Sequence, residues 1–147
     1  MISTLYTIGF TKKKAKQFFE LLKANNVRLL IDIRLNNVSQ LAAFAKRDDL
    51  KYFLSEICDC DYVHKSEWAP TKEILDQYKN KDITWDIYVE KFLPLIESRA
   101  IQNHMPLEQL DHACLLCSEP TAEKCHRRLV AEYLKKNLRD QILIKHL

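Results

Sequence analysis

The segment CLLCSEPTAEKCHRRLVAEYL, residues 114–134, sets two cysteines before a turn and a Cys125-His126-Arg127 triplet just inside a helical pattern. Core packing needs no thiol, imidazole or guanidinium, so the triplet raises four chemistries. Cys117, Cys125, His126 and His64 could supply soft and borderline ligands to a metal, although Cys117-x7-Cys125-His126 matches no common zinc spacing. Cys117 or Cys125 could be a nucleophile activated by His126 and a nearby helix N-terminus. A phosphatase-type C-x5-R loop is disfavoured, because Glu123 stands where its arginine would be. The helix N-terminus with Arg34 and Arg127 could hold a phosphate or carboxylate. The fourth reading is a structural cluster. Thr121, after Pro120, is the expected N-cap, with His126, Leu129, Val130 and Tyr133 as the buried stripe. A buried histidine needs partners, and Glu119 or Asp32 are the expected ones.

Further ionisable residues fall where apolar runs end. LYTIGFT carries the single glycine of the chain, Gly9, between a β-prone run and a helical pattern for which Thr11 is the expected cap. Such a junction suits a tight turn or close approach to a ligand, but it is neither a G-x-G-x-x-G nor a Walker loop. VRLLIDIR, 27–34, reads as a strand covered on both faces and ends in Asp32 and Arg34, two apart and hence on one face. DYVH ends in His64, and LDHACLLC leads into Ser118 and Glu119.

Between these strands run helical patterns: one with Phe18, Phe19 and Leu22, and one with Leu50, Phe53, Leu54 and Ile57. A short helix is expected near 72–79. A long one begins at Thr84 and buries Trp85, Tyr88, Phe92, Leu95 and Ile96, with a kink expected at Pro94. QILIKHL closes the chain as a strand. Strands alternating with helices predict one α/β domain over 1–147, a mainly parallel sheet of about five strands with helices on both faces. In such sheets ligands bind beyond the carboxyl ends of the strands, which is where Gly9, Thr11, Asp32, Arg34, His64, Cys117 and Glu119 fall.

The composition, 47% hydrophobic and 29% charged, is that of a globular domain. No apolar run approaches the roughly 18 residues of a membrane span, and the N-terminal charges follow rather than precede the apolar stretch, against a secretory signal. The expectation is a cytoplasmic protein without membrane contact. Five cysteines, an odd number, fit reduced thiols better than a disulfide framework. Cys114 and Cys117 have CxxC spacing, but within a strand they face opposite sides, so they are not expected to act as a pair. A net charge of +3 permits a nucleic-acid partner without arguing for one.

The pieces YTIGFT (6–11), LIDIR (30–34), YVH (62–64), the W-x2-Y-x3-F helix from Trp85, LLCSE (115–119) and CHRRLVAEYL (125–134) together resemble the DUF488 family of small bacterial and archaeal proteins. The resemblance implies an α/β fold and supplies no established reaction. The chain departs from the family where His commonly follows the first-strand glycine and Phe10 stands here. It also lacks the usual Pro and Ser-Arg pair in Asn37-Val38-Ser39-Gln40, and the Gly-containing turn after YVH.

The reading that results is an enzyme-like or ligand-binding domain for a small anionic, phosphate- or nucleotide-like ligand, calling for no cofactor and no metal. Arg34 and Arg127 would neutralise its charge, Asp32 or Glu119 would orient His126, and His126 or His64 would move protons. The alternatives are a Cys/His metal-binding domain, or a nucleic-acid-binding accessory protein using Lys124, Arg128, Lys135, Lys136 and Arg139. On that helix face Glu123, Glu132 and Asp140 break up the positive charge.

Overall fold

In the computed structural model, which describes residues 2–147, five parallel strands form one sheet in the order β3-β2-β4-β1-β5. They are β1 (Ser3–Gly9), β2 (Leu29–Asp32), β3 (Asp61–His64), β4 (Ala113–Cys117) and β5 (Ile142–His146). The helices are α1 (Ala15–Ala24), α2 (Arg47–Phe53), α3 (Lys72–Lys79), α4 (Trp85–Ser98), α5 (Leu107–Leu110) and α6 (His126–Asn137). This is a single α/β domain, and none of its described helices is long and apolar enough to cross a membrane.

The inner strands are buried along nearly their whole length because helices cover both faces. Leu5, Ile31 and Leu115 pack with Phe92 and Ile96 of α4 and Val130 of α6. Tyr6, Leu30, Cys114 and Leu116 pack on the other side with Phe18 and Leu22 of α1 and Leu50 of α2. Strand alternation therefore puts Cys114 on the α1 face and Cys117 on the face of α4 and α6. The expected opposition of the CxxC thiols is what the sheet enforces.

Element ends differ from the sequence reading in several places, among them β4, which spans Ala113–Cys117 while Leu110 of the expected LDHACLLC strand closes α5. β2 spans Leu29–Asp32, not 27–34, although Ile33 still donates its N–H to Leu116 O at 3.1 Å. Thr11 does not cap α1; the helix starts after Lys14 with no side-chain cap, and Thr11 N–H bonds Ser118 O instead. Thr121 does not cap α6, whose N-cap is Cys125, so His126 and Arg127 occupy the first two helical positions. The expected cap of α4 holds, Thr84 accepting from the N–H of Ile87, and Thr71, not singled out in the sequence, caps α3 by accepting from the N–H of Ile74. α4 runs continuously through Pro94.

The strand order creates a switch point. From β2 the chain leaves towards β3 on one side, and from β4 towards β5 on the other, while β2 and β4 are neighbours. A crevice between the carboxyl ends of two such strands is where open parallel sheets receive ligands. The segments leaving those two strands begin with Ile33-Arg34 and Ser118-Glu119.

Candidate functional site

Three donor groups meet on the floor of that crevice. The Cys125 thiol donates to Cys117 Sγ at 2.7 Å, and Cys117 Sγ lies 3.4 Å from His126 Nδ1. His126 Nε2 donates to the carbonyl of Ile33 at 2.7 Å, which leaves Nδ1 to face the sulfur. All three side chains are buried. Burial would raise the Cys117 thiol, but the Cys125 thiol, the His126 charge and hydrogen bond, and the Glu119 backbone N–H outweigh it and hold it well below the ordinary range. Burial would lower His126, and the adjoining Cys117 sulfur reverses that and raises it. Cys125 is pushed up by burial and by donating to Cys117. These directions favour a thiolate on Cys117 facing a charged His126, with the proton of the thiol pair kept on Cys125.

The pair opens onto a pocket of about 120 Å³. Tyr78, Trp85 and Tyr88 form one wall, with the Trp85 and Tyr88 rings stacked at 5.1 Å and 15°. Arg34, Asn36, Ser118 and Glu119 line another part, and Lys79 and Lys124 add positive charge. The same three donors, Cys117, Cys125 and His126, lie within 4.8 Å of one another and could hold a metal ion. Two sulfurs on one tetrahedral zinc stand roughly 3.8 Å apart, as ~2.3 Å bonds require, so the 2.7 Å thiol contact would have to open.

The buried polar residues beside the pocket form a separate network. Asp32 accepts from Arg34 Nε and Nη2, both at 2.8 Å, from Tyr62 Oη at 2.6 Å and from Asn37 Nδ2 at 3.3 Å. Burial would raise the Asp32 carboxyl, yet Arg34 and Tyr62 hold it below its usual value. Burial and Asp32 push the Tyr62 hydroxyl up. Arg34 Nη1, outside the fork on Asp32, has no partner. Phe10 lays its ring 5.3 Å from the Arg34 guanidinium carbon, a cation–π contact.

Several assigned roles change with this geometry. His126 is oriented by the Ile33 carbonyl and Cys117, not by Asp32 or Glu119. Asp32 is committed to Arg34, and the exposed Glu119 contributes its carbonyl to Arg127 Nη1 at 2.5 Å. Arg127, expected to border the stripe and meet a ligand, is fully buried and also donates to Thr7 Oγ1 at 3.2 Å. His64 donates to Arg34 O at 2.8 Å and does not line the pocket. Gly9 and Thr11 stand outside the pocket lining as well. On the basic face of α6, Arg128 is engaged by Glu132 at 3.6 Å and by the Glu123 carbonyl at 2.7 Å.

The aromatic wall was hidden in the sequence. Trp85 and Tyr88 read there as core, yet Trp85 is only half-buried and Tyr78 comes from α3. Its one available signal was an aromatic helix start, Trp85, following another aromatic just ahead of it, Tyr78. Tyr62 and Asn37, the remaining partners of Asp32, carried no signal.

A parallel α/β domain with a buried Cys-Cys-His cluster at its switch point is the class that fold and site define. Residues 14–134 match the family described as Domain of unknown function DUF488, and the chain belongs to that family. No curated protein and no solved structure matches it.

Proposed function

We propose that this domain is a thiol-dependent enzyme acting on a small ligand with an anionic, phosphate- or nucleotide-like group. The observation that carries the reading is the placement of Cys117 Sγ between the Cys125 thiol and His126 Nδ1 at the pocket floor. A thiolate is the nucleophilic form of cysteine, and His126, once relieved of its partner, can deliver a proton to a leaving group. Lys79 and Lys124 supply charge for the anion, and the unpaired Arg34 Nη1 lies among the residues of the same pocket. The stacked Trp85 and Tyr88 suit a planar group.

The test is a thermal-shift and alkylation series with nucleotides, nucleosides and inorganic phosphate. A ligand present at 100-fold its dissociation constant should stabilise by about 2.7 kcal/mol and should shield Cys117 from iodoacetamide. Stabilisation by none of them, with Cys117 no more reactive than Cys58, would overturn the proposal. A second reading, a Cys2His metal site, is favoured by the 4.8 Å cluster alone; stoichiometric zinc that depends on Cys117 and Cys125 would put it first.

A further inference from the structure

In the nucleophilic chemistry Cys125 only donates a hydrogen bond to Cys117, a task a hydroxyl could fill, yet it is a thiol whose sulfur touches that of Cys117. We propose that Cys117 and Cys125 form a redox dithiol that reduces a small hydroperoxide, with Cys117 oxidised first and Cys125 resolving it. The inference rests on the reading of Cys117 as a nucleophilic thiolate and adds an activity and a co-substrate class to it.

Three observations carry it. The sulfurs are 2.7 Å apart as free thiols, and a disulfide needs them to close to roughly 2.05 Å. Cys125 is the N-cap of α6, its backbone held by bonds from its N–H to Ala122 O at 3.3 Å and from Arg128 N–H to its carbonyl at 3.1 Å, so the short remaining approach falls to the side chains. The pocket above them, about 120 Å³, admits a peroxide or a small organic hydroperoxide. The remaining cysteines are placed otherwise: Cys114 lies on the opposite face of the sheet, and Cys58 and Cys60 lie beside α1 and β3.

The chemistry balances with the groups present. The Cys117 thiolate attacks one peroxide oxygen, the O–O bond breaks, and the leaving oxygen takes the His126 proton and departs as water or alcohol. Cys117 is then a sulfenic acid. The Cys125 thiol, losing its proton to His126 Nδ1, attacks the Cys117 sulfur; the S–O bond breaks and hydroxide leaves as water with that proton. Two thiols have been oxidised to one disulfide and the peroxide reduced. A low-molecular-weight thiol, two equivalents, returns the pair to the reduced state with formation of its own disulfide.

The full-length reduced chain would be treated with equimolar hydrogen peroxide, quenched by alkylation and mapped by mass spectrometry. The expected product is a Cys117–Cys125 disulfide, reversed by dithiothreitol, with Cys58, Cys60 and Cys114 still alkylated. Oxidation at Cys117 should run at least about ten times faster than at Cys58, whose thiol burial pushes up, because the thiolate is the reacting form. In Cys125→Ser, a dimedone adduct should appear on Cys117 instead. Wild-type protein that goes to sulfinic acid at Cys117 while Cys125 stays alkylatable would overturn the resolving role, as would a bound zinc protecting both thiols. If iodoacetamide fails to single out Cys117 in the untreated protein, the nucleophile reading itself has failed; if it singles out Cys117 and no disulfide forms, only the redox inference falls.

Discussion

Gly9 and Arg127 meet at a boundary with no room for a side chain. A Cβ on Gly9 would lie 2.6 Å from Arg127 Nη1 and 1.6 Å from the Glu119 carbonyl oxygen that the same guanidinium binds. Gly9 sits opposite Cys117 in the β1–β4 pairing, so the close approach fixes the turn that follows β4. The glycine is used for proximity, not for positive φ, which in this chain is adopted by residues such as Lys12, Asn26 and Asp59.

Gly9→Ala is therefore expected to destabilise strongly. Overpacking against flexible side chains costs ~1–3 kcal/mol; here the obstacle is backbone, so a loss of about 3 kcal/mol or more is expected by urea denaturation. A loss under about 1 kcal/mol would show that the Ser118–Lys124 turn shifts freely and does not position Cys117.

Asp32→Asn should cost about 3–5 kcal/mol at neutral pH, because it leaves the buried Arg34 charge without its partner. The carboxyl is depressed in the folded state. Its contribution is therefore complete above the unfolded value of about 3.9 and is lost as pH falls through the folded value. Denaturation curves of wild type and variant should accordingly converge only in strong acid. Convergence already near neutrality would contradict the ion pair.

His126→Leu should separate a site residue from a packed one. The change strands the Ile33 carbonyl and removes the partner of Cys117 Sγ, for a cost of about 1–3 kcal/mol. It also removes the cation that favours the thiolate. The wild-type alkylation rate of Cys117 should stay level from alkaline into neutral pH and fall only below its depressed pKa. In the variant the fall should begin at higher pH, with neutral-pH reactivity down about tenfold or more. Unchanged stability and an unchanged rate profile would assign His126 to packing.

Much of this architecture could be read from the residues. The apolar runs at LLID and ACLLC, bracketed by helical patterns, announce a buried parallel sheet, and the polar residues after them mark its ligand edge. The nearness of Cys117 and His126 was also legible, since one ends a strand and the other lies on the buried stripe in the first turns expected of the next helix. What sequence could not provide was competition among partners. Asp32, Arg34, His64 and Arg127 each look available for chemistry in one dimension. In three, Asp32 and Arg34 neutralise each other, His64 and Arg127 are spent on backbone carbonyls, and His126 is held by a main-chain oxygen that no sequence pattern encodes. Helix starts misled for a related reason. Thr121 has the right chemistry for a cap, but the Ser118–Lys124 segment is drawn across the sheet end by the Arg127–Glu119 bond, delaying α6 until Cys125.

Trp85→Ala should distinguish the pocket from the core behind it. Trp85 is half-buried at the first position of α4, stacked on Tyr88 and tilted against Tyr78 at 5.8 Å. Fully buried aromatic truncations cost ~3–5 kcal/mol, and a half-exposed one at a helix start should cost about half that, since Thr84 still caps the helix. If the wall receives a planar ligand, the variant should lose most of the thermal shift produced by a nucleotide while keeping any shift produced by inorganic phosphate, which depends on Lys79 and Lys124. Reactivity of Cys117 towards iodoacetamide should persist, because its partners Cys125 and His126 are untouched. Trp85→Phe, which preserves an aromatic face, should restore the nucleotide response. Loss of the phosphate shift along with the nucleotide shift would mean that the substitution collapses the pocket; retention of both would remove the aromatic wall from the binding site.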